Sequence, residues 1–387
     1  MALITGELSN IFDFANGKSI KPNGSGDYKA FGANGIIGES EDFNHEDGII
    51  IGRVGAYCGA VARCKEKFWA SDNTIVAYPK EENFSKTYAY YFLKNLDLNK
   101  YAGGSAQPLL TQTTLKKVAV KYNDSKCERD TIGELLLKYD NLIENNNRRI
   151  AILEDMAQSL YREWFVNFRY PNHQDDLDAD GKPKLIDSPL GQIPEGWEVK
   201  NAAEVITINP KTKLVKEGEK PFVGMSGLSQ GSMVIGDIIE KTGNSGAKFI
   251  NGDTLFARIT PCLQNGKTGY VQFLTPEQPV GFGSTEFIVF RESEYLSSEF
   301  IYLLSRSNNF REHAIQSMTG ATGRQRVHND CFASCYLPVP PKELMHEFTK
   351  LAKPMFKSIF NLSKRNENLK QQRDMLLPKL ISGQIEL

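Results

Sequence analysis

The longest regular pattern in the chain runs through residues 126–168, where apolar residues recur every seven positions. Such a repeat places its members along one stripe of an α-helix, which is buried by packing against a second helix. Ser125 and Glu128 have the spacing of a capping box, and Pro171 ends the pattern. The pattern predicts one long helix. Its stripe comprises Leu136, Ile143, Ile150, Ala157 and Trp164, flanked by Tyr139, Asn146, Leu153 and Leu160.

A second segment near the C-terminus has the same periodicity. Its stripe comprises Phe348, Met355, Leu362, Leu369 and Leu376. Pro341 suits the first turn of a helix, whereas Pro354 is expected to break or kink it, and Pro378 and Gly383 are expected to end it. Two unrelated core helices are the alternative. Because each helix follows a similar globular segment, we favour an antiparallel coiled coil.

The two globular segments show the same order of strands, turns and helix. In the first, the pattern predicts strands and a glycine turn at 48–64, a strand at 73–79, a helix at 86–98, a loop at 103–115 and a strand at 116–122. The matching stretches of the second are 253–273, 284–290, 297–314, 319–332 and 335–341. A pattern that occurs twice indicates tandem duplication rather than a solenoid.

These patterns predict an α+β fold in which two mixed α/β domains in tandem duplication are separated by two long helices that form an antiparallel coiled coil. We expect the first domain at 1–125, the first spacer helix at 126–170, a connector at 171–192, the second domain at 193–340, and the second spacer helix with the C-terminal tail at 341–387.

Composition limits the kinds of binding site that the chain can contain. The chain has 387 residues and a formal net charge of −1, so any nucleic-acid surface must come from local clusters of Lys and Arg. Its six cysteines form no CxxC pair, which argues against a zinc site and favours reduced thiols. We find no signal peptide and no membrane-spanning run, so we expect a cytoplasmic protein.

Motifs for catalysis are missing from the sequence. A methyltransferase of the amide-binding type needs Asn-Pro-Pro-aromatic, but Asn209-Pro210 is followed by Lys211. We find no Walker A motif and no complete dinucleotide fingerprint. We therefore expect a chain that is not an enzyme and carries no cofactor or metal.

Three stretches give this layout a specific resemblance. They are Ser188-Pro189-Leu190-Gly191-Gln192-Ile193-Pro194-Glu195-Gly196-Trp197, the tail from Met375 to Ile385, and the loop Gly104-Ser105-Ala106-Gln107-Pro108. Together with the duplication, they resemble the specificity (S) subunit of type I restriction-modification enzymes over essentially the whole chain. One departure is that the first copy begins at Glu7-Leu8, without the Pro-Glu-Gly-Trp entry.

The resemblance implies that this chain recognises DNA and that partner subunits carry out catalysis. Two target-recognition domains would each read one half of a bipartite site in double-stranded DNA, and the helices would space them and dock two methyltransferase (M) subunits. The methyltransferase would bind S-adenosylmethionine, and restriction (R) subunits using ATP would join the complex. The alternatives from the sequence are a coiled-coil protein–protein adaptor without DNA specificity and an enzyme with an unrecognised site.

Candidate DNA-binding residues follow from residue type and loop position, because Lys and Arg bind phosphate while Arg, Asn and Gln also read bases. In the first copy they are Arg53, Tyr57, Arg63, Lys65, Lys67, Gln107 and Gln112. In the second they are Arg258, Gln264, Asn265, Lys267, Arg324, Gln325 and Arg326. Taken singly, each is equally compatible with a solvated loop, but similar chemistry at matching positions favours DNA contact.

Overall fold

The structure is a computed structural model that describes residues 3–22, 24–80, 84–104, 107–173, 184–215, 217–321, 323 and 325–387. The chain divides into two compact units. Unit 1 combines Met1–Glu144 with Asn366–Leu387, and unit 2 is Asn145–Arg365. Each unit therefore contains one globular domain together with parts of both long helices.

The globular domain of unit 1 is built on a mixed sheet. Its elements, followed by the first long helix, are β1 (Leu3–Glu7), α1 (Leu8–Ile11), β2 (Phe12–Asn16), β3 (Tyr28–Gly32), β4 (Gly35–Ser40), β5 (His45–Gly52), β6 (Val61–Ala70), β7 (Thr74–Pro79), α2 (Lys86–Asn95), α3 (Gln112–Lys116), β8 (Ala119–Asn123) and α4 (Lys126–Phe165). The main sheet has the order β2-β7-β5-β6-β3-β4, with β3 and β6 parallel. Strands β1 and β8 form a separate antiparallel pair. Ile49, Ile50 and Ile51 of β5 are all buried, as a continuous apolar run in a central strand requires.

The globular domain of unit 2 repeats this arrangement with more, shorter strands. Its elements, followed by the second long helix, are β9 (Leu185–Ser188), β10 (Gly191–Pro194), β11 (Glu198–Asn201), α5 (Ala202–Val205), β12 (Thr207–Ile208), β13 (Lys220–Val223), β14 (Ile238–Lys241), β15 (Ala247–Phe249), β16 (Thr254–Ala257), β17 (Thr268–Tyr270), β18 (Gly281–Gly283), β19 (Phe287–Arg291), α6 (Ser298–Arg306), α7 (Asn308–Gln316), β20 (Tyr336–Val339) and α8 (Lys342–Ile381). The order β12-β19-β16-β17 matches β2-β7-β5-β6, and the pair β11-β20 matches β1-β8. The duplication in the sequence is thus a duplication of topology.

The two long helices pack against each other within each unit. In unit 2 the ring of Trp164 in α4 lies 5.9 Å from that of Phe348 in α8, and both side chains are buried. In unit 1, Ile132 and Leu136 of α4 join the same apolar cluster as Leu377 and Leu380 of α8. The start of α4 therefore packs with the end of α8, and the end of α4 with the start of α8, so the helices run antiparallel.

The heptad positions of α4 and α8 differ in burial. Leu136, Ile143, Ile150, Ala157, Trp164 and Leu362 are buried, whereas Leu153, Leu160, Met355, Leu369 and Leu376 are partly buried. A second stripe on α8, which the sequence reading did not single out, includes Met345, Ala352, Ile359 and Leu380, all buried. These residues complete the face of α8 that packs inward.

The expected break at Pro354 is wrong, because α8 is a single 40-residue helix from Lys342 to Ile381. Pro354 lies on the exposed side of the helix, and so does Lys350, whose carbonyl loses its usual N–H donor. Water can bond that carbonyl there, while Ala352 and Phe356 on the inner face stay packed. Pro378 does not end the helix either, since α8 continues to Ile381.

The start of α4 uses part of the expected capping box. The hydroxyl of Ser125 accepts a hydrogen bond from the backbone N–H of Glu128 at 3.4 Å. The Glu128 carboxylate instead accepts a 2.6 Å hydrogen bond from the side-chain amide of Asn123. Asn123 also accepts the backbone N–H of Ser125 at 2.9 Å, so β8 and α4 are joined by a short polar turn.

Two loops expected from the sequence contain regular structure. The stretch 103–115 includes the start of α3, capped by the Thr111 hydroxyl, which accepts the Thr114 N–H at 3.1 Å. In the connector expected at 171–192, residues 174–183 lie outside the described part of the chain. Its later residues belong to the β9–β10 hairpin.

Candidate nucleic-acid interface

Three chain segments of unit 2 meet at Arg258, directly after β16. The backbone N–H of Arg258 donates to the carbonyl of Glu286 at 3.1 Å, and the Arg258 carbonyl accepts the N–H of Val327 at 2.9 Å. Glu286 immediately precedes β19, while Val327 belongs to the loop after α7. Backbone bonds therefore join the turn and the loop that the sequence had singled out separately.

Unit 1 contains the same meeting point at Arg53, directly after β5. The N–H of Arg53 donates to the carbonyl of Asn73 at 3.0 Å, and the Arg53 carbonyl accepts the N–H of Leu110 at 2.8 Å. Asn73 immediately precedes β7, as Glu286 precedes β19. We call each set an arginine junction: Arg53, Asn73 and Leu109 in unit 1, and Arg258, Glu286 and Arg326 in unit 2.

The loop of each junction is closed by a matching pair of backbone bonds. In unit 1, Gly103 and Leu109 exchange N–H and carbonyl bonds of 3.0 and 2.8 Å. In unit 2, Thr319 and Arg326 exchange bonds of 3.0 and 2.9 Å. Leu109 also bridges to Val54, and Arg326 bridges to Ile259. Leu109 and Arg326 thus occupy equivalent positions. Each immediately precedes the residue, Leu110 or Val327, whose N–H bonds the carbonyl of the central arginine.

The side chains of the unit 2 junction form a charged fork. One carboxylate oxygen of Glu286 accepts from Nη2 of Arg326 at 2.6 Å, and the other lies 3.4 Å from Nε of Arg258. The Glu286 side chain is 17% exposed and that of Arg326 is 56% exposed. The carboxylate is therefore recessed, while Arg326 reaches towards solvent.

The unit 1 junction lacks this fork. Its central arginine, Arg53, has a buried Nε with no hydrogen-bond partner among the described residues. Asn73 stands where unit 2 has Glu286, and Leu109, which is 38% exposed, stands where unit 2 has Arg326. Backbone geometry is shared by the two junctions, whereas the chemistry of their side chains differs.

Two arginines that the sequence reading missed support the turn at 260–266. Nη1 of Arg306 donates to the carbonyl of Gly266 at 2.9 Å, and Nη2 of Arg311 donates to the carbonyl of Gln264 at 3.1 Å. Burial, together with the positive charge of Arg306, lowers the pKa of Arg311. The turn is joined to the junction because Thr260 donates its N–H to the carbonyl of Gln325 at 3.1 Å.

This turn presents several of the candidate side chains of unit 2. Gln264 and Asn265 are exposed, and Nζ of Lys267 donates to the carbonyl of Met225 at 2.9 Å. Gln325 contacts Thr260 through its backbone carbonyl. Arg324 lies outside the described residues. The structure therefore brings Arg258, Gln325 and Arg326 together and places the turn beside them.

In unit 1 the candidates fall into two groups. Arg53 belongs to the junction. Tyr57 lies in the short 3-10 turn Gly55–Tyr57 just after it and is 52% exposed. Arg63, Lys65 and Lys67 follow one another along β6. Arg63 donates to the Thr87 hydroxyl at 3.0 Å, and its guanidinium lies 3.5 Å from a carboxylate oxygen of Asp47.

The remaining basic residues of β6 are exposed. Lys65 and Lys67 both face solvent, and Nζ of Lys67 lies 4.4 Å from the centroid of the Phe43 ring. Gln107 is exposed on the loop that closes the junction, and Gln112 is the first residue of α3. A basic strand and an arginine junction are thus separate features of unit 1.

Two further residues missed by sequence reasoning, Asn73 and Glu286, share one signal. Asn73 and Glu286 each stand two residues after a serine whose hydroxyl accepts their backbone N–H, Ser71 at 3.3 Å and Ser284 at 3.1 Å. The repeated Ser-x-Asn and Ser-x-Glu stretches precede matching strands. That local repeat was available in the sequence, but a carboxylate is not an obvious candidate for a surface that binds DNA.

Neither a metal-binding cluster nor a membrane-spanning helix is present in the described part of the chain. No group of three or more His, Cys, Asp or Glu side chains there is placed to hold a metal ion. None of the helices in that part combines the length and the apolar character needed to cross a bilayer.

Comparison with known proteins places these domains in one family. The family model of the type I restriction modification DNA specificity domain matches residues 5–155 and 194–373. The MjaIX specificity subunit of Methanocaldococcus jannaschii is 27% identical over 345 residues, covering 85% of this chain and 76% of that protein. The EcoEI specificity subunit of Escherichia coli is 34% identical over 170 residues, covering 41% of this chain and 28% of that protein.

A solved structure agrees with this family at the level of the fold. The type I restriction-modification S subunit from M. genitalium superposes with a TM-score of 0.60 and 16% identity, covering 98% of this chain and 96% of that chain. Each of the two segments matched by the family model contains its own arginine junction. The chain therefore belongs to the type I restriction-modification DNA specificity family, as a specificity subunit with two tandem DNA-recognition domains.

Proposed function

We propose that each recognition domain reads one half of a bipartite site in double-stranded DNA, and that its arginine junction with the adjoining turn is the reading surface. The repeated junction carries this proposal. Each copy fixes an arginine and two exposed loops by backbone bonds of 2.8–3.1 Å. Rigid presentation of Arg, Asn and Gln on a loop is what direct readout of base edges requires.

We further propose that the candidate residues contribute unequally. Arg258, Gln264, Asn265, Gln325 and Arg326 lie at or beside the unit 2 junction, while Arg53, Tyr57 and Gln107 lie at or beside that of unit 1. These would face the bases. The exposed Lys65 and Lys67 on β6 would instead contact phosphates, where a flexible ammonium suffices.

Catalysis belongs to partner proteins in this proposal. Specificity subunits are the non-catalytic components of type I systems. The two long helices would space the recognition domains and dock two methyltransferase subunits, which would supply S-adenosylmethionine. Restriction subunits using ATP would join the same complex. The assembly would act in the cytoplasm, where the chromosome that it methylates resides.

Domain exchange tests the proposal. Residues 193–341 are replaced by the matching segment of a relative, and the chimera is co-expressed with its methyltransferase. The methylated motif is then read by sequencing. We expect one half of the motif to change and the other half to be retained, because each domain has its own junction. A motif changed in both halves would show that the domains read DNA jointly.

A coiled-coil adaptor without DNA specificity is the competing function. It is tested with the purified full chain and a library of random duplex DNA. Selection of a consensus sequence by the chain supports the proposal, and binding with no sequence preference supports the adaptor. The purified chain without partners is expected neither to methylate nor to cleave the same DNA.

A further inference from the structure

The two arginine junctions have the same backbone but surround the central arginine with different side chains. In unit 2 a carboxylate from Glu286 lies between Arg258 and Arg326. In unit 1 the equivalent positions hold Asn73 and Leu109, so neither a carboxylate nor a second arginine is present there. The two junctions share their backbone hydrogen bonds and differ only in side chains. We expect such a difference to change what each domain recognises rather than how it folds.

We propose that Glu286 holds the guanidinium of Arg326 in a fixed orientation, and that Arg326 thereby reads a guanine in the half-site of unit 2. The proposal rests on the proposed function and assigns a base to one position of that surface. Arginine recognises guanine through two parallel hydrogen bonds to O6 and N7 in the major groove. Those two bonds require the plane of the guanidinium to be oriented correctly.

The observed contact supplies that orientation. The 2.6 Å bond from Nη2 to Glu286 uses one N–H donor of Arg326 and leaves the other donors of the planar group for a ligand. A long side chain that is already held loses less rotamer freedom on binding than a mobile one. Because 56% of the Arg326 side chain remains exposed, the ion pair restrains the arginine without covering it.

The backbone on both sides of the pair is restrained as well. Arg326 exchanges two hydrogen bonds with Thr319, and the N–H of Glu286 is held by the Ser284 hydroxyl at 3.1 Å. Glu286 also accepts the N–H of Arg258 through its backbone carbonyl. The donor and the acceptor of the ion pair are thus both attached to fixed main chain.

Charge balance explains how a carboxylate can stand at a DNA-binding surface. Its two oxygens face two guanidinium groups, so the fork carries a net positive charge. The carboxylate is recessed at 17% exposure, whereas Arg326 projects beyond it. An approaching phosphate or base edge therefore meets the arginine first, and the carboxylate acts as a support.

Selection from a library of random duplex DNA tests this inference with the full chain. The variants are Arg326→Ala, Arg326→Lys and Glu286→Gln, and Glu294→Gln is the matched control because Glu294 forms an exposed pair with Lys342 at 3.4 Å. We expect the wild-type consensus to contain a G·C pair whose selection falls about tenfold or more in Arg326→Ala and Arg326→Lys. Lysine keeps the charge, but its flexible ammonium lacks the planar group that Glu286 is proposed to orient.

Glu286→Gln tests whether the carboxylate orients Arg326 or only changes the net charge of the surface. We expect this variant to lose preference at the same G·C pair, while its binding to random DNA stays unchanged or increases because a negative charge is removed. The other half of the consensus should be retained, and Glu294→Gln should match the wild type. Thermal unfolding of each variant checks that the domain remains folded.

A transplant provides a gain-of-function test in unit 1. Asn73 and Leu109 are both exposed, so Asn73→Glu combined with Leu109→Arg is compatible with the fold. Because the backbone frame is shared, the double variant should acquire a preference for guanine at one position in the other half-site. Leu109→Arg alone should acquire a weaker preference, since its arginine lacks the carboxylate.

Three results would overturn the inference. Uniform weakening of binding to all sequences by Arg326→Ala, with a salt dependence reduced by about one unit, would identify a phosphate contact. An unchanged consensus in Arg326→Ala would remove the residue from the reading surface. Full guanine preference in Glu286→Gln would show that the carboxylate is not needed to orient Arg326. A wild-type chain that selects no consensus would instead refute the proposed function itself.

Discussion

The phenolic hydroxyl of Tyr91 in α2 donates a 2.6 Å hydrogen bond to the carboxylate of Asp140 in α4. The same carboxylate is paired with the guanidinium of Arg373 in α8. Burial, with the hydrogen bond to Asp140, raises the pKa of Tyr91, so its hydroxyl remains a donor. This network joins the globular domain of unit 1 to both long helices within that unit.

Loss of Arg373 should destabilise unit 1. Arg373→Ala leaves the largely buried Asp140 carboxylate without its cation, and we expect a loss of about 1–3 kcal/mol in the free energy of unfolding. Urea unfolding measures the change. Lys370→Ala, on an exposed position of the same helix, serves as the control and should have little effect. Equal stability of Arg373→Ala and Lys370→Ala would mean that the network is not stabilising.

Glu154 gives unit 2 a stability that depends on pH. Burial raises the pKa of this α4 carboxyl, which accepts hydrogen bonds from the Ser232 hydroxyl at 2.7 Å and the Met233 N–H at 2.6 Å. A raised pKa means that the folded state binds the proton more tightly than the unfolded chain. The resulting stabilisation is complete below the unfolded-state pKa and is lost as pH rises through the folded-state pKa.

Glu154→Gln should remove this dependence, because an amide does not titrate and its oxygen can accept the same hydrogen bonds. We expect the stability of the variant relative to the parent to increase as pH rises from about 4 to 7, by about 1.4 kcal/mol for each unit by which the pKa is raised. Thermal unfolding of both proteins across that range measures the difference. A constant difference would show that Glu154 has the same pKa in the folded and unfolded states.

The turn after the unit 1 junction depends on a glycine. Gly59 has φ +89°, and a Cβ atom placed there would lie 2.6 Å from the backbone nitrogen of Asn99. Gly55 also has positive φ, at +70°, but faces open space. Gly55→Ala should therefore cost about 1–2 kcal/mol from backbone strain alone. Gly59→Ala should cost about 1–3 kcal/mol more, because the main chain at Asn99 must move.

Both glycine variants are compared by urea unfolding of the full chain. Similar losses in the two variants would mean that the close approach to Asn99 relaxes without cost. A larger loss in Gly59→Ala, accompanied by weaker binding to duplex DNA, would connect the packing of this turn with the position of Tyr57.

Arg306 is expected to anchor the turn at 260–266. Arg306→Met removes the donor to the Gly266 carbonyl, and one lost hydrogen bond of about 1 kcal/mol corresponds to roughly fivefold in affinity if the turn must be ordered to bind DNA. Hydrogen exchange of residues 260–267 should increase in this variant. Arg162→Met removes an equal charge from an exposed position on α4 and should leave that exchange unchanged.

Sequence periodicity predicted the elements whose stability depends on burial. The heptad stripe of α4 was visible because most side chains on a packed helix face are apolar, as Leu136 and Trp164 are. The same reasoning overestimated the effect of Pro354, since periodicity does not reveal whether a freed carbonyl faces water. Its inward-facing neighbours, Ala352 and Phe356, keep the helix continuous.

The proposed recognition surface was only partly predictable. Residue type singled out Arg258 and Arg326, but their shared carboxylate lies 28 and 40 residues away in sequence and is brought close only by sheet pairing. Arg306 and Arg311 were missed for a related reason. They lie at a helix end and in the next helix, where arginine is common, and only the tertiary structure places them beneath the turn.

The arginine junctions are held together by main-chain hydrogen bonds. Those bonds do not depend on which side chains face outward. Leu109 and Arg326 already differ completely in size and charge at one shared position. Substitutions at such positions can therefore accumulate while the domain remains folded at every step. If the junction reads DNA as proposed, it is therefore suited to combinatorial libraries, in which new sequence preferences are sought on an unchanged scaffold.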